Sequence, residues 1–201
     1  KDLVNYWDSR INELGVIDEK AFIFYGYGIE MTYREFIEKR KRFATALYNL
    51  GVRKGDKVAL FLPNSPHFAI AWMGALEIGA TVTCLNPLFA PREIQFQVND
   101  SESETLITID TLYPKVTPVK KDTPLKNIII ANLAGQKPSV EKEPGIYYFD
   151  ELINENPPNP PEVEIDPKED LAALMYTGGT TGVPKGAMLT HDNLYANALQ
   201  T

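Results

Sequence analysis

Cysteine, histidine and tryptophan are scarce: 201 residues hold one cysteine, two histidines and two tryptophans. The lone thiol, Cys84, excludes an internal disulfide and a cysteine-rich zinc site. That usage fits a reducing, cytoplasmic compartment. Positive charge is also short. Lysine and arginine total 20 against 27 aspartates and glutamates, a net charge of -7. The basic footprint of a general nucleic-acid binder is therefore missing. The most apolar stretch, 68–85, is interrupted by Gly74, Glu77 and Gly79. It reads as a buried helix followed by a strand, not as a membrane span. No basic amphipathic segment demands peripheral membrane association, which stays open as an alternative to a purely cytoplasmic location. A signal-peptide pattern is absent. The chain opens Lys1-Asp2-Leu3 without methionine and stops inside an expected helix, so it is read as a fragment whose partner is the remainder of its own polypeptide.

What is present is an ordinary globular balance, 44% hydrophobic and 23% charged. It excludes disorder and supports one large domain or two small ones. Residues 21–31 form two β-prone runs around Gly26, a hairpin signal. Thr32 and Glu35 have capping-box spacing, and apolar residues from Tyr33 to Leu50 follow at helical intervals up to Gly51. Strands are predicted at 58–62, 81–85, 105–109 and 127–130, with helices at 66–78 and 92–98. Between 110 and 126 three prolines leave room only for a short or broken helix. Such alternation specifies an α/β fold, a mostly parallel sheet flanked by helices and preceded by a hairpin. Residues 134–146 read as a polar connection. Five prolines within 156–167 predict an extended linker. The expected division is 1–155 as an α/β subdomain, 156–169 as linker, and 170–201 as the start of a second subdomain. There a strand at 171–176, a second strand-like run at 185–189 and a helix capped by Thr190 are expected.

The chemistry sits in Thr177-Gly178-Gly179-Thr180-Thr181-Gly182-Val183-Pro184-Lys185-Gly186. Four glycines let backbone amides approach one concave spot without Cβ interference. Three threonine hydroxyls add donors, and Lys185 adds a positive charge. Together they suit a polyphosphate. The run is not a Walker A loop, because Pro184 precedes the lysine, Gly186 follows it and no helix comes next. Nor is it a dinucleotide fingerprint, which needs a helix at the glycines. A strand–loop–strand flap over phosphate is expected.

The run Tyr176–Leu194, YTGGTTGVPKGAMLTHDNL, resembles the phosphate-binding signature of the adenylate-forming enzymes: acyl-CoA synthetases, luciferases and peptide synthetase adenylation domains. Met31-Thr32-Tyr33-Arg34-Glu35-Phe36 is similar to an early motif of that superfamily, and 76–87 to its second. The Gly178-Gly179 doublet resembles the long- and medium-chain fatty acyl-CoA ligases, whereas aryl-acid ligases more often carry serine at the first of the two. The resemblance implies the N-terminal part of an enzyme that joins a carboxylic acid to AMP from ATP, then to coenzyme A. It implies that Gly178, Gly179, Thr180, Thr181 and Gly182 hold the β- and γ-phosphates, that Lys185 neutralises them, and that Thr177 reaches magnesium. The later motifs of the superfamily, including the catalytic lysine, have no counterpart within these residues, so no turnover and weak ATP binding are expected of the chain alone. Alternatives are another adenylate former, such as an aryl-acid ligase or a luciferase-like enzyme, and a non-catalytic domain with a vestigial loop.

Other residues read as structural. His191 is a helix-start residue, and His67 is expected at the surface. Lys39-Arg40-Lys41-Arg42 reads as a solvated helix face. Phe22, Phe24, Tyr25 and Tyr27 suit either an acyl tunnel or hairpin packing. Cys84 reads as inert core.

Overall fold

A computed structural model describes residues 2–177 and 183–200. Its elements are α1 (Leu3–Leu14), β1 (Lys20–Phe24), β2 (Ile29–Thr32), α2 (Tyr33–Asn49), β3 (Lys57–Phe61), α3 (Pro66–Glu77), β4 (Thr81–Cys84) and α4 (Pro91–Asp100). After these come β5 (Thr105–Ile109), α5 (Tyr113–Val116), β6 (Asn127–Ala131), β7 (Ile146–Tyr148), α6 (Phe149–Glu155), β8 (Leu171–Thr177), β9 (Lys185–Thr190) and α7 (His191–Gln200). Strands β1 and β2 pair as an antiparallel hairpin, and seven others form one sheet in the order β7-β6-β5-β3-β4-β8-β9. All neighbours in that sheet are parallel except β8 and β9. The α/β architecture and the N-terminal hairpin thus take the form expected from the alternation of elements.

Local signals place most helix ends. Thr32 and Glu35 form the reciprocal capping box, with Thr32 Oγ1 accepting from Glu35 N at 3.2 Å and Glu35 Oε2 accepting from Thr32 N at 2.8 Å. Ser65 caps α3 by accepting from Phe68 N at 3.2 Å, with Pro66 in the first turn. Thr190 and Asn193 cap α7 in the same reciprocal manner. The β1–β2 turn differs in detail from its expected form. It is a single 3-10 turn over Tyr25–Tyr27, and its left-handed residue is Gly28 (φ 65°), not Gly26.

Three elements escape the sequence pattern: α1, β7 and α6. Helix α1 precedes the hairpin in the chain and packs against α3 and α7, burying Leu3, Val4 and Ile11. The polar connection expected over 134–146 ends in strand β7, which leads directly into α6. Residues 156–167 carry no helix or strand.

The sheet separates two apolar layers. One joins α2, α3 and α6 to the sheet through Phe43, Leu47, Val58, Leu60, Leu76 and Phe149. The other joins α4 and α5 through Phe61, Ile94, Val98, Leu106, Val116 and Ile128. Such runs, apolar on both faces of a parallel strand, explain the lack of alternation in β3 and β5.

Arg40 and His67 depart from their expected surface placement, and His191, expected only at a helix start, is buried as well. Arg40 is fully buried. Its Nη1 and Nη2 donate to Asp8 of α1 at 2.7 Å each, and Nε donates to Glu77 of α3 at 2.6 Å. The basic run therefore holds a buried clasp of three helices, because a guanidinium can satisfy two carboxylates at once. His67 is 6% exposed rather than on the surface, and its ring meets Phe149 edge-on at 5.2 Å. His191 is fully buried and its Nδ1 accepts from Leu3 N at 3.4 Å.

Burial holds both imidazoles below their ordinary pKa; Asp150 opposes this at His67, and Asp2 and Asp170 oppose it at His191. Above about pH 6.5 both folded and unfolded states carry neutral rings, so this contribution to stability is complete. Below it the unfolded chain takes up protons first, and stability falls until pH reaches the lower folded-state pKa. Lowering pH from about 7.5 to about 5.5 should reduce the urea midpoint, and His67→Gln or His191→Gln should flatten that dependence. Equal slopes in the parent and both variants would contradict the assignment.

Candidate functional site

The β8–β9 pair is antiparallel, with Thr177 opposite Lys185 and Tyr176 opposite Gly186. Thr177 and Lys185, at opposite ends of the phosphate-type run, are thus brought side by side. Both are exposed. Neither side chain has a hydrogen-bond or ion-pair partner among the described residues. Gly178, Gly179, Thr180, Thr181 and Gly182 lie outside the described residues.

Strand β8 is parallel to β4, so both carboxyl ends open to the same side. A cleft of about 520 Å³ lies there, between the hairpin and α4, lined in part by Cys84, Arg92, Phe96, Gln97, Tyr176 and Thr177. Ligand crevices in open parallel sheets sit beyond the carboxyl ends of strands. A larger cleft, about 880 Å³, lies at the opposite end near Lys57, Thr105 and Asn127 and is remote from the glycine–threonine run.

Hydrogen bonds from three side chains shape the smaller cleft. Gln97 Nε2 donates to Thr83 Oγ1 and to the Cys84 carbonyl, each at 2.9 Å, fixing α4 to the end of β4. Lys115 Nζ donates to the Pro87 carbonyl at 3.0 Å and pins the loop after β4. Tyr176 donates its phenol proton to Asp100 Oδ2 at 2.5 Å, which ties β8 to the last residue of α4. Burial, then the bond to Asp100, raises the Tyr176 pKa, so the phenol stays a donor. The ring of Tyr176 lies over Gly186. A Cβ there would stand 3.1 Å from the ring, so the glycine makes room for the aromatic.

The charges facing the cleft are uneven. Glu93 is turned back to accept from Ala90 N at 2.7 Å, and Asp100 is occupied by Tyr176. Arg92 is exposed and has no ion-pair partner among the described residues. Arg92 thus lines the cleft, and Lys185 stands opposite Thr177 across the hairpin. Cys84 takes no part as a nucleophile: burial pushes its thiol up to about 12, so it stays protonated at neutral pH.

Residues 15–201 match the family described as AMP-binding enzyme. The chain belongs to that family. The chain is 35% identical over 198 residues to a long-chain-fatty-acid–CoA ligase of Bacillus subtilis, covering 90% of its own length and 35% of that protein. It is 36% identical over 169 residues to 4-coumarate–CoA ligase 1 of Solanum tuberosum, covering 84% of itself and 29% of that protein. Its fold matches the crystal structure of a long-chain-fatty-acid-CoA ligase from Archaeoglobus fulgidus with a TM-score of 0.82 and 30% identity, over 99% of this chain and 38% of that one. The chain thus spans about a third of the length of the curated relatives it matches. No described helix is long and apolar enough to cross a membrane.

Arg92, Gln97 and the Tyr176–Asp100 bond were not visible as site features in the sequence. Tyr176 and Asp100 are 76 residues apart, and no local spacing links them. The one available signal was the position of Tyr176, directly before the threonine of the glycine-rich run.

Proposed function

We propose that this chain is the N-terminal part of an ATP-dependent fatty acid–CoA ligase and that its β8–β9 hairpin grips the β- and γ-phosphates of ATP. The observation that carries this reading is the pairing of Thr177 with Lys185 across the hairpin mouth. That pairing sets the two flanks of the intervening run side by side. Gly178, Gly179, Thr180, Thr181 and Gly182 supply amide and hydroxyl donors, and the Lys185 ammonium supplies charge.

In the proposed reaction a carboxylate oxygen attacks the α-phosphate, the bond to the β-phosphate breaks, and pyrophosphate leaves. Negative charge grows on the departing phosphates. Donors fixed before the reaction stabilise that charge without reorganising. The coenzyme A thiol then displaces AMP, and residues outside this chain complete the site. The isolated chain is expected to be inactive.

Magnesium suits this reading. Thr177 leaves a hydroxyl oxygen unbonded to any described residue, a hard ligand of the kind magnesium takes. Among the described residues no cluster of three histidine, cysteine or acidic side chains could hold a metal. The ion would accordingly arrive with the phosphates and take Thr177 as one ligand. Bound there, it supplies further positive charge against the phosphates.

In the complete ligase, Lys185→Ala should slow acyl-adenylate formation about 10²-fold, read as pyrophosphate release. An unchanged rate would favour a non-catalytic role for the loop. The aryl-acid reading is supported by the similarity to the 4-coumarate ligase. Assaying the complete enzyme with palmitate against coumarate separates the two substrate classes.

A further inference from the structure

A second cavity, about 380 Å³, opens on the other side of the sheet, where α2, α3 and α6 meet β2. Met31, Ile70 and Phe149 form its apolar wall, and His67, Lys39 and Asp150 bring polar atoms to it. His67 is only 6% exposed, and its Nδ1 is buried with no hydrogen-bond partner among the described residues. Leaving such an atom unpaired costs the fold stability, so its retention beside a cavity points to a ligand. Lys39 and Asp150 also have no ion-pair or hydrogen-bond partner among the described residues. Both nonetheless act electrostatically on the His67 ring, from opposite directions. The cavity is thus an apolar hollow with one ammonium, one carboxylate and one imidazole, all unspent.

That set selects by charge. An anionic ligand would meet Lys39 favourably and Asp150 unfavourably. A cationic ligand would suffer the reverse. A zwitterion satisfies both, and an apolar body fills the wall. We propose that this cavity is a second small-molecule site, which takes a small zwitterion with an apolar body, such as an α-amino acid with a branched side chain. Lys39 would hold the carboxylate, Asp150 the ammonium, and the His67 ring would hydrogen-bond the headgroup. The site shares no residue with the phosphate hairpin, so it stands or falls independently of the ligase reading.

The chain has two histidines, both buried, which makes their ring signals convenient NMR reporters. L-leucine added to the chain should shift the His67 ring signals saturably and leave those of His191 in place. 4-Methylpentanoate lacks the ammonium and 3-methylbutylamine lacks the carboxylate; each should bind at least about tenfold more weakly. Lys39→Ala, at an exposed position, and Asp150→Asn, a near-isosteric change, should each weaken leucine by about tenfold while the fold persists. No shift up to the solubility limit of leucine overturns the proposal. So does equal binding of either half-ligand, or undiminished binding in both variants.

Discussion

Replacing Arg40 with alanine should cost the fold about 3–5 kcal/mol, the range for removing one partner of a buried ionic cluster. Arg40 is fully buried and serves two carboxylates from different helices. Without it, Asp8 and Glu77 face each other with no cation between them. Their side chains are only 25% and 15% exposed, so water recovers little of the loss. Burial already pushes the Glu77 carboxyl above the usual carboxylate range, against the pull of Arg40. In the variant Glu77 should therefore take up a proton at higher pH than in the parent. The deficit, measured by urea unfolding, should accordingly shrink as pH is lowered toward 5. Arg40→Lys should fall between parent and alanine, because a single ammonium cannot span both carboxylates in a fork. A loss below about 1 kcal/mol for Arg40→Ala, the value of an exposed pair, would show that the clasp is not closed in solution.

Gly145→Ala is the second large effect. Gly145 has φ 85°, and its carbonyl accepts from Ile128 N at 2.8 Å, where β6 receives β7. A Cβ there would stand 2.6 Å from the Lys126 carbonyl oxygen, backbone that has no easy way to yield. The left-handed conformation alone costs a non-glycine residue about 1–2 kcal/mol. Forcing the strand aside adds about 1–3 kcal/mol. Gly135 is the control: it too has positive φ (69°), but nothing lies within 4 Å of its would-be Cβ. Gly135→Ala should show only the conformational part. Equal melting losses for the two variants would remove the crowding argument.

The elements legible in the sequence carry their signals locally. Strands β3, β5 and β6 are short apolar runs, and α2 and α3 begin at caps whose partners lie three residues away. Helix α1 was not legible because only Leu3, Val4 and Ile11 are buried, too few to mark a stripe. Strand β7 is three residues long and has no period to detect. Arg40 was misplaced for a related reason. Its carboxylate partners lie 32 and 37 residues away, so only its basic neighbours were visible. At the candidate site the antiparallel pairing of β8 with β9 brings Thr177 and Lys185 together. The α4 wall of the cleft is assembled by long-range contacts that no spacing announces.

Helix α1 is joined to the far end of the chain. Leu3 N reaches His191, and the rings of Tyr6 and Tyr195 meet edge-on at 4.6 Å. Translation delivers these partners in the wrong order for easy assembly. At ribosomal rates of about 5–20 residues per second, the first helix emerges roughly 10–40 seconds before the histidine that receives it. During that interval its amide and its tyrosine must be satisfied by solvent or by a chaperone. Closure of this seam consequently waits for α7 to be made, and until then the newborn helix is open to proteolytic trimming.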